Sequence, residues 1–236
     1  MSTLATAAGC SVDVLDCGDA AVRVALTGGR EDAWRAAHGI AAVLDAAAHV
    51  GFLGTLPTYD AVLVEFDCTA TDLASVREWV RDAAARVDDV APRACRTFTV
   101  PVVYGGTFGP DLDAAASHLG VTAAEVVALH TARPLLMRCF GAPAGAPMLD
   151  GPAFPRPVPR LASPRPHVPA GAAAVAGRQA VISARPAPGG WHVLGTTPLT
   201  LVDPSREPLS PYWPGDSFQF VAIGEDAFDA NRGPLA

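Results

Sequence analysis

The chain has 236 residues, half of them hydrophobic and 17% charged, with a net charge of −7; that is enough for one large domain or two modest ones with a real core. The acidic balance argues against nucleic acid and against an anionic membrane surface as partners, since both need clustered basic residues. All seventeen basic residues are arginine, which removes Schiff-base, Walker-type and biotinyl-lysine chemistry and leaves arginine or backbone N–H groups to hold any anion.

From the N-terminus, MSTLATAAGCSVDVLD has no basic region ahead of a long apolar run, so no signal peptide is expected. Val12–Leu15 and Ala21–Leu26 read as strands joined by a turn at Gly18-Asp19. Glu31 to Val50 reads as a helix with Trp34, Ala37, Ala41, Leu44 and Ala48 on one face. Gly51–Leu56 and Ala61–Phe66 read as a strand pair about Pro57-Thr58-Tyr59-Asp60. Thr71 or Asp72 caps a helix through about Val87, with Leu73, Val76, Val80 and Ala84 inward. Thr97–Tyr104 is again a strand. After the initial hairpin arm the order is strand, helix, strand, strand, helix, strand, which fits an α+β sandwich of the split βαβ kind. The most apolar stretch, Ile40 to Leu56, is broken by Asp45 and His49 and falls short of the ~18 uncharged residues of a membrane span.

Gly105-Gly106 opens a turn. Pro110–Leu119 and Ala123–Thr131 are short helices, the second capped by Thr122 with Glu125 at the capping-box position. Seventeen of the 22 prolines lie between Pro134 and Pro214, so this region cannot be helical. Its short apolar runs, LLMRCF, HVPAG, AAAVAG, QAVIS, WHVLG, LTLVD and FQFVAI, alternate with turns and suggest a closed barrel. FGAPAGAPML (Phe140–Leu149), rich in glycine and proline, reads as a loop or sharp turn. EDAFDANRGPLA reads as a polar tail that frays. The domain expectation is therefore an N-terminal α+β domain over 1–95 and a β-barrel over 96–236. The five cysteines, Cys10, Cys17, Cys68, Cys95 and Cys139, show no metal or disulfide spacing, which suggests reduced thiols in a cytoplasmic protein.

Chemistry-bearing residues are few. His130, at the end of the second short helix, reads first as a helix C-terminal cap. Arg160 and Arg165 sit in PRLASPRPHVPAG; the rigid backbone could pre-organise an anion or carbonyl site, against the plainer reading of solvated loop arginines. Gly189-Gly190 before Trp191 permits a tight turn that tucks an indole into a barrel mouth, or a core tryptophan after a hairpin.

Taken in order, PTYDAVLVEFD (Pro57–Asp67), VPVVYGGTFGPDLDAAASHLGVTAAEVVALHTARP (Val100–Pro134), PRLASPRPHVPAG, PGGWHVLGTTPL (Pro188–Leu199) and WPGDSFQFVAI resemble the carboxyltransferase-domain family, which includes the B subunit of 5-oxoprolinase, the first subunit of allophanate hydrolase and Kip-type kinase inhibitors. The resemblance implies a small α+β domain followed by a cyclophilin-like β-barrel. It also implies a second, homologous subunit and a small-molecule substrate with a lactam or urea-type carbonyl. ATP would be used by a partner, with no cofactor or metal bound by this chain. Kept residues that it marks as catalytic candidates are His130, Arg160, Arg165 and Gln179.

The family segment Gly-Phe-x-Pro-Gly-Phe-x-Tyr-Leu is here GAPAGAPML. The glycines Gly141 and Gly145 remain, implying a kept backbone path, while Ala142, Ala144, Ala146 and Met148 replace two phenylalanines, a proline and a tyrosine. Leu135, Ala172, Ser183, Thr196 and Thr107 replace other aromatic or polar family residues. Uncompensated loss of such rings from a core costs about 3–5 kcal/mol each, so either other side chains refill the volume or a substrate pocket has widened. Leu135, Ala142, Ala146, Met148, Ala172, Ser183, Trp191 and Thr196 are the expected lining. A widened pocket would also suit a stand-alone cyclase or rearrangement enzyme of secondary metabolism, and the Kip-type resemblance a non-catalytic regulator.

Overall fold

In a computed structural model, described over residues 3–5, 9–91 and 93–236 and without the side chains of residues 3–5, 142 and 143, the chain divides into two compact units, Met1–Ala94 and Cys95–Ala236. The first contains β1 (Thr3–Ala5), β2 (Ser11–Asp16), β3 (Ala21–Thr27), α1 (Arg30–Ala47), β4 (Phe52–Pro57), β5 (Ala61–Phe66) and α2 (Leu73–Ala85). Alternation along β3 buries Val22, Val24 and Leu26 on one face. The helices bury Ala33, Ala37, Ile40 and Leu44 of α1, and Val76, Val80 and Ala84 of α2, in the same core. α1 stops at Ala48, which takes the left-handed conformation (φ 47), short of the expected Val50. Asp72 is the α2 cap: its carboxylate accepts from the Ser75 N–H at 2.8 Å.

The sheet runs β1-β2-β3-β5-β4 with every neighbour antiparallel. β5 lies between β3 and β4, as a split βαβ arrangement requires. The expected last strand, Thr97–Tyr104, does not complete this sheet. Its place beside β3 belongs to β2, which reaches it across a short turn at lower loop-closure cost than a distant strand would.

Thr97–Tyr104 is instead β6, the first strand of the second unit. After it come α3 (Leu112–Leu119), α4 (Ala123–Thr131), β7 (Leu135–Ala142), β8 (Ala146–Asp150), β9 (Arg165–Val168), β10 (Ala172–Ala176), β11 (Gln179–Ile182), β12 (Ala187–Gly189), β13 (His192–Thr196), β14 (Leu199–Thr200), β15 (Ser217–Ala222) and β16 (Gly233–Pro234). Seven strands close a barrel in the order β10-β11-β8-β7-β15-β6-β13, with β13 returning to β10. β6 and β15 pair in parallel, although about 120 residues separate Arg96 from Asp216. The buried Asp216 carboxylate fixes that meeting, accepting from the Arg96 N–H at 2.8 Å and the Trp213 N–H at 2.9 Å. Phe98, Leu135, Met137, Leu149, Ile182, Leu194 and Phe220 fill the core. The capping box of α4 is present, with Thr122 and Glu125 bonding reciprocally.

Three expectations need correction. Phe140–Leu149 is a hairpin, with only Pro143–Gly145 as its turn. Pro147 is accommodated opposite Phe140, beside a shift in register between Phe140 and Ala142, where a missing donor breaks no regular ladder. Ala144 has φ 59, a value closed to proline, so the chain takes a turn here that the family proline would not allow. LTLVD contributes only the two residues of β14. The last segment does not fray: β16 pairs in parallel with β14, Leu235 donates its N–H to the Thr200 carbonyl at 3.0 Å, and Phe228 packs on Phe108 with ring centroids 4.9 Å apart. The polar composition hid two apolar anchors, Phe228 and Leu235, of which Leu235 is 4% exposed.

That anchor makes a test. Leu235→Ala should lower unfolding stability by about 2–5 kcal/mol, read from the urea midpoint. An unchanged midpoint would show that the segment contributes no core packing.

Candidate functional site

A cavity of about 250 Å³ lies in the second unit. One wall comes from barrel strands: Gly141 of β7, Ala146 and Met148 of β8, Ala174 of β10 and Val181 of β11, continued by Ser183, Ala184 and Arg185. The other is the ribbon formed by β9 and β12, which stands apart from the closed barrel. It supplies Val168, Ala187, Pro188 and Gly189, with Arg160 and Trp191 completing the lining.

Small residues create this space. A Cβ at Gly141 would collide with Met148 Cγ, so the glycine lets the Met148 side chain lie across the wall. A Cβ at Gly189 would come within 3.1 Å of Val168 Cγ2, so the ribbon can close tightly. The Gly189-Gly190 pair is therefore used for close approach; Gly189 ends an extended strand and makes no tight turn. The Leu161 N–H donates to the Gly190 carbonyl at 2.7 Å, which holds the segment carrying Arg160 against the start of the Trp191 strand.

Of the residues expected at the site, Arg160, Ala146, Met148, Ser183 and Trp191 line this cavity. Leu135 and Ala172 are in the barrel core. Thr196 donates its hydroxyl to the Phe108 carbonyl at 2.7 Å, and Gln179 stands at the start of β11 opposite Asp150; neither lines the cavity. The Ala142 side chain lies outside the described residues. Arg185, Val168, Ala174 and Val181 are further lining residues. Of these, Arg185 alone is polar, and its place beside a proline is shared with Arg93, Arg133, Arg156, Arg160 and Arg165.

Arg165 is consumed elsewhere. Its guanidinium grips Asp111 with two bonds, Nη1 to Oδ2 at 2.7 Å and Nη2 to Oδ1 at 2.5 Å. The Asp111 side chain is 6% exposed and also accepts from the Val193 N–H at 2.8 Å. The ion pair thus joins the start of α3, the ribbon strand β9 and the barrel strand β13.

His130 is fully buried, and it neither lines the cavity nor caps its helix. Tyr104 Oη lies 2.6 Å from its Nδ1, and its ring packs on Phe220 with centroids 4.3 Å apart. Its Nε2 has no hydrogen-bond partner, so the contact with Tyr104 is the one hydrogen bond of the ring among the described residues, its direction set by the tautomer. Burial pushes its pKa down to about 3. Burial likewise raises that of Tyr104. Burial also lowers that of His192, with the positive charges of Arg165 and His118 adding to the shift and Asp111 opposing it. Among the described residues no three His, Cys, Asp or Glu side chains converge as metal ligands.

The family model described as "Carboxyltransferase domain, subdomain C and D" matches residues 12–212. The chain is 31% identical over 205 residues to the B subunit of 5-oxoprolinase from Bacillus subtilis (strain 168), spanning 83% of this chain and 85% of that protein. It is similar to the solved structure of TTHA0988, with a TM-score of 0.74 and 32% identity over 87% of this chain. That match covers 40% of the TTHA0988 chain, so the present chain spans under half of that relative. The K. lactis urea amidolyase shares the fold, with a TM-score of 0.79 at 14% identity over 100% of this chain and 17% of that one.

The His130–Tyr104 pair yields a pH prediction. Because the imidazole is neutral in the fold and its ordinary pKa is 6.5, the unfolded chain binds the extra proton as pH falls below that value. Stability held in full above pH 6.5 should fall by about 1.4 kcal/mol per pH unit from this group down to about pH 3. Tyr104→Phe should cost about 1–3 kcal/mol by stranding Nδ1, whereas Tyr104→Phe with His130→Phe should recover most of that loss and flatten the acid slope. Denaturant titrations at several pH values measure both. An acid slope unaltered in the double variant would contradict the burial argument.

Proposed function

The chain belongs to the carboxyltransferase-domain family, and on that premise we propose that it is a cytoplasmic subunit of a 5-oxoprolinase-type enzyme that binds a lactam or related amide in the cavity of its second unit. The observation that carries this reading is a coincidence of place. The segments that match family motifs, around Arg160 and around Pro188–Trp191, meet at one side of the same partly open cavity. Similarity to the B subunit of 5-oxoprolinase extends over most of both chains. None of the relatives named above is called a cyclase or a kinase regulator.

The cavity suits binding and polarisation. Met148, Val168, Val181 and the Trp191 ring offer apolar surface, while Arg160, Arg185, the Ser183 hydroxyl and the Trp191 indole N–H can donate hydrogen bonds to ligand oxygens. Ring opening of an amide also needs a group that gives and takes protons near neutral pH. No Asp, Glu, His, Cys or Tyr is among the lining residues, and the neutral His130 sits in the core. The proton-transfer step and the use of ATP therefore fall to a second, homologous subunit and its own site, with this chain holding the substrate.

Co-expression with a family second subunit tests the reading. A stable complex that hydrolyses ATP only when 5-oxoproline is present, releasing glutamate, is the expected result. Failure of the two chains to copurify, together with no lactam-dependent ATP turnover, would end it.

A further inference from the structure

We propose that Arg160 and Arg185 form a carboxylate clamp, so that the cavity selects an amino-acid-sized carboxylate with an apolar body and rejects neutral amides of the same shape. This deepens the functional reading above and rests on it only in taking the cavity as the substrate site.

Charge balance is the first ground. Across the chain 24 acidic residues outnumber 17 arginines, so an arginine has acids in ample supply. Yet among the described residues neither Arg160 nor Arg185 has an ion-pair or hydrogen-bond partner, while Arg138 and Arg165 in the same unit are bonded to Asp150 and Asp111. Both residues are exposed to solvent, and both line one small cavity whose described lining includes no carboxylate. The hollow is a local centre of positive charge in an acidic protein, which draws anions to it.

Rigidity is the second ground. Arg160 follows Pro159 and Arg185 precedes Pro186, so proline fixes a backbone dihedral beside each, and the bond from Leu161 to Gly190 ties down the first segment. Less backbone freedom is then lost when a ligand is bound. The planar guanidinium fork matches a carboxylate in a way that a single carbonyl oxygen does not use.

Size is the third. At about 250 Å³ the cavity falls just below the usual range of pockets for drug-sized ligands, which suits a small metabolite. With the carboxylate at the two arginines, Met148 and Val181 remain for the apolar body, and Ser183 and Trp191 for a second, neutral oxygen such as a lactam carbonyl.

Ligand-observed NMR titration of the full chain tests the clamp with three probes: 5-oxoproline; 2-pyrrolidinone, the same ring without the carboxylate; and N-acetylalanine, an open-chain carboxylate. Wild-type chain should bind both carboxylates about ten- to a hundredfold more tightly than 2-pyrrolidinone. Arg160→Gln with Arg185→Gln should bring both carboxylates down to the 2-pyrrolidinone level and leave 2-pyrrolidinone itself unchanged, which also shows that the variant is folded. Equal binding of charged and neutral probes, binding unaffected by the double substitution, or no binding of either carboxylate would overturn the proposal. Arginine-dependent binding without lactam turnover in the two-subunit complex would preserve the clamp while refuting the proposed activity. Turnover with an unchanged KM in the double variant would do the reverse.

Discussion

The arrangement of the second unit depends on one buried ion pair. Asp111 is almost wholly withdrawn from water, and a carboxylate so placed must be matched or the fold bears its full desolvation cost. Arg165 matches both oxygens and the Val193 N–H adds a third bond. The pairing has a positional consequence. The β9/β12 ribbon shares no ladder with the closed barrel, so this ion pair is a principal bond holding it beside β13. That ribbon supplies Val168, Ala187, Pro188 and Gly189 of the cavity lining, so the ion pair helps to hold one wall in place. The same fact sets Arg165 apart from Arg160: it is absent from the cavity lining, and its charge is matched by Asp111.

The hollow itself comes from what is missing. Gly141, Ala146, Ala174, Ala184, Ala187 and Gly189 contribute almost no volume where the walls meet. Two positions where family aromatics are expected, Ala146 and Met148, lie in the lining. Ala146 leaves space open, whereas Met148 lies against Gly141 and refills part of it. A flexible thioether on a bare glycine is an adaptable wall, able to follow the shape of a ligand without disturbing the strands.

How much of this was legible in the sequence follows from the range of the interactions. Elements set by local periodicity and capping were readable to within a few residues: β3, β5, β6, the two long helices, and the capping box at Thr122 and Glu125. The Phe140–Leu149 hairpin was not, because its strand pairing overrides a composition that locally favours a turn. The C-terminal segment was missed because two apolar anchors among polar residues give no period. Arg160, Met148 and Trp191 could be placed at the cavity from motif alone. That Arg165 and His130 lie away from the cavity lining was not legible, since their partners, Asp111 and Tyr104, are 54 and 26 positions away and no local pattern announces them.

A division of labour follows from the chemistry of the lining. Charge can be held, ring surface can be covered, and a carbonyl oxygen can be given hydrogen bonds, all by groups that keep one protonation state across the physiological range. Opening an amide requires the opposite kind of group, one that changes state during the reaction. His130, the histidine that the sequence offers for that task, is held neutral by complete burial, with one nitrogen bonded to a tyrosine and the other facing apolar surroundings; charging it would disrupt the core that α4 and β15 share. The cavity lining of this chain combines fixed positive charge with apolar surface. On the proposed function, the titrating group comes from a second subunit, and the lining of this chain supplies only binding.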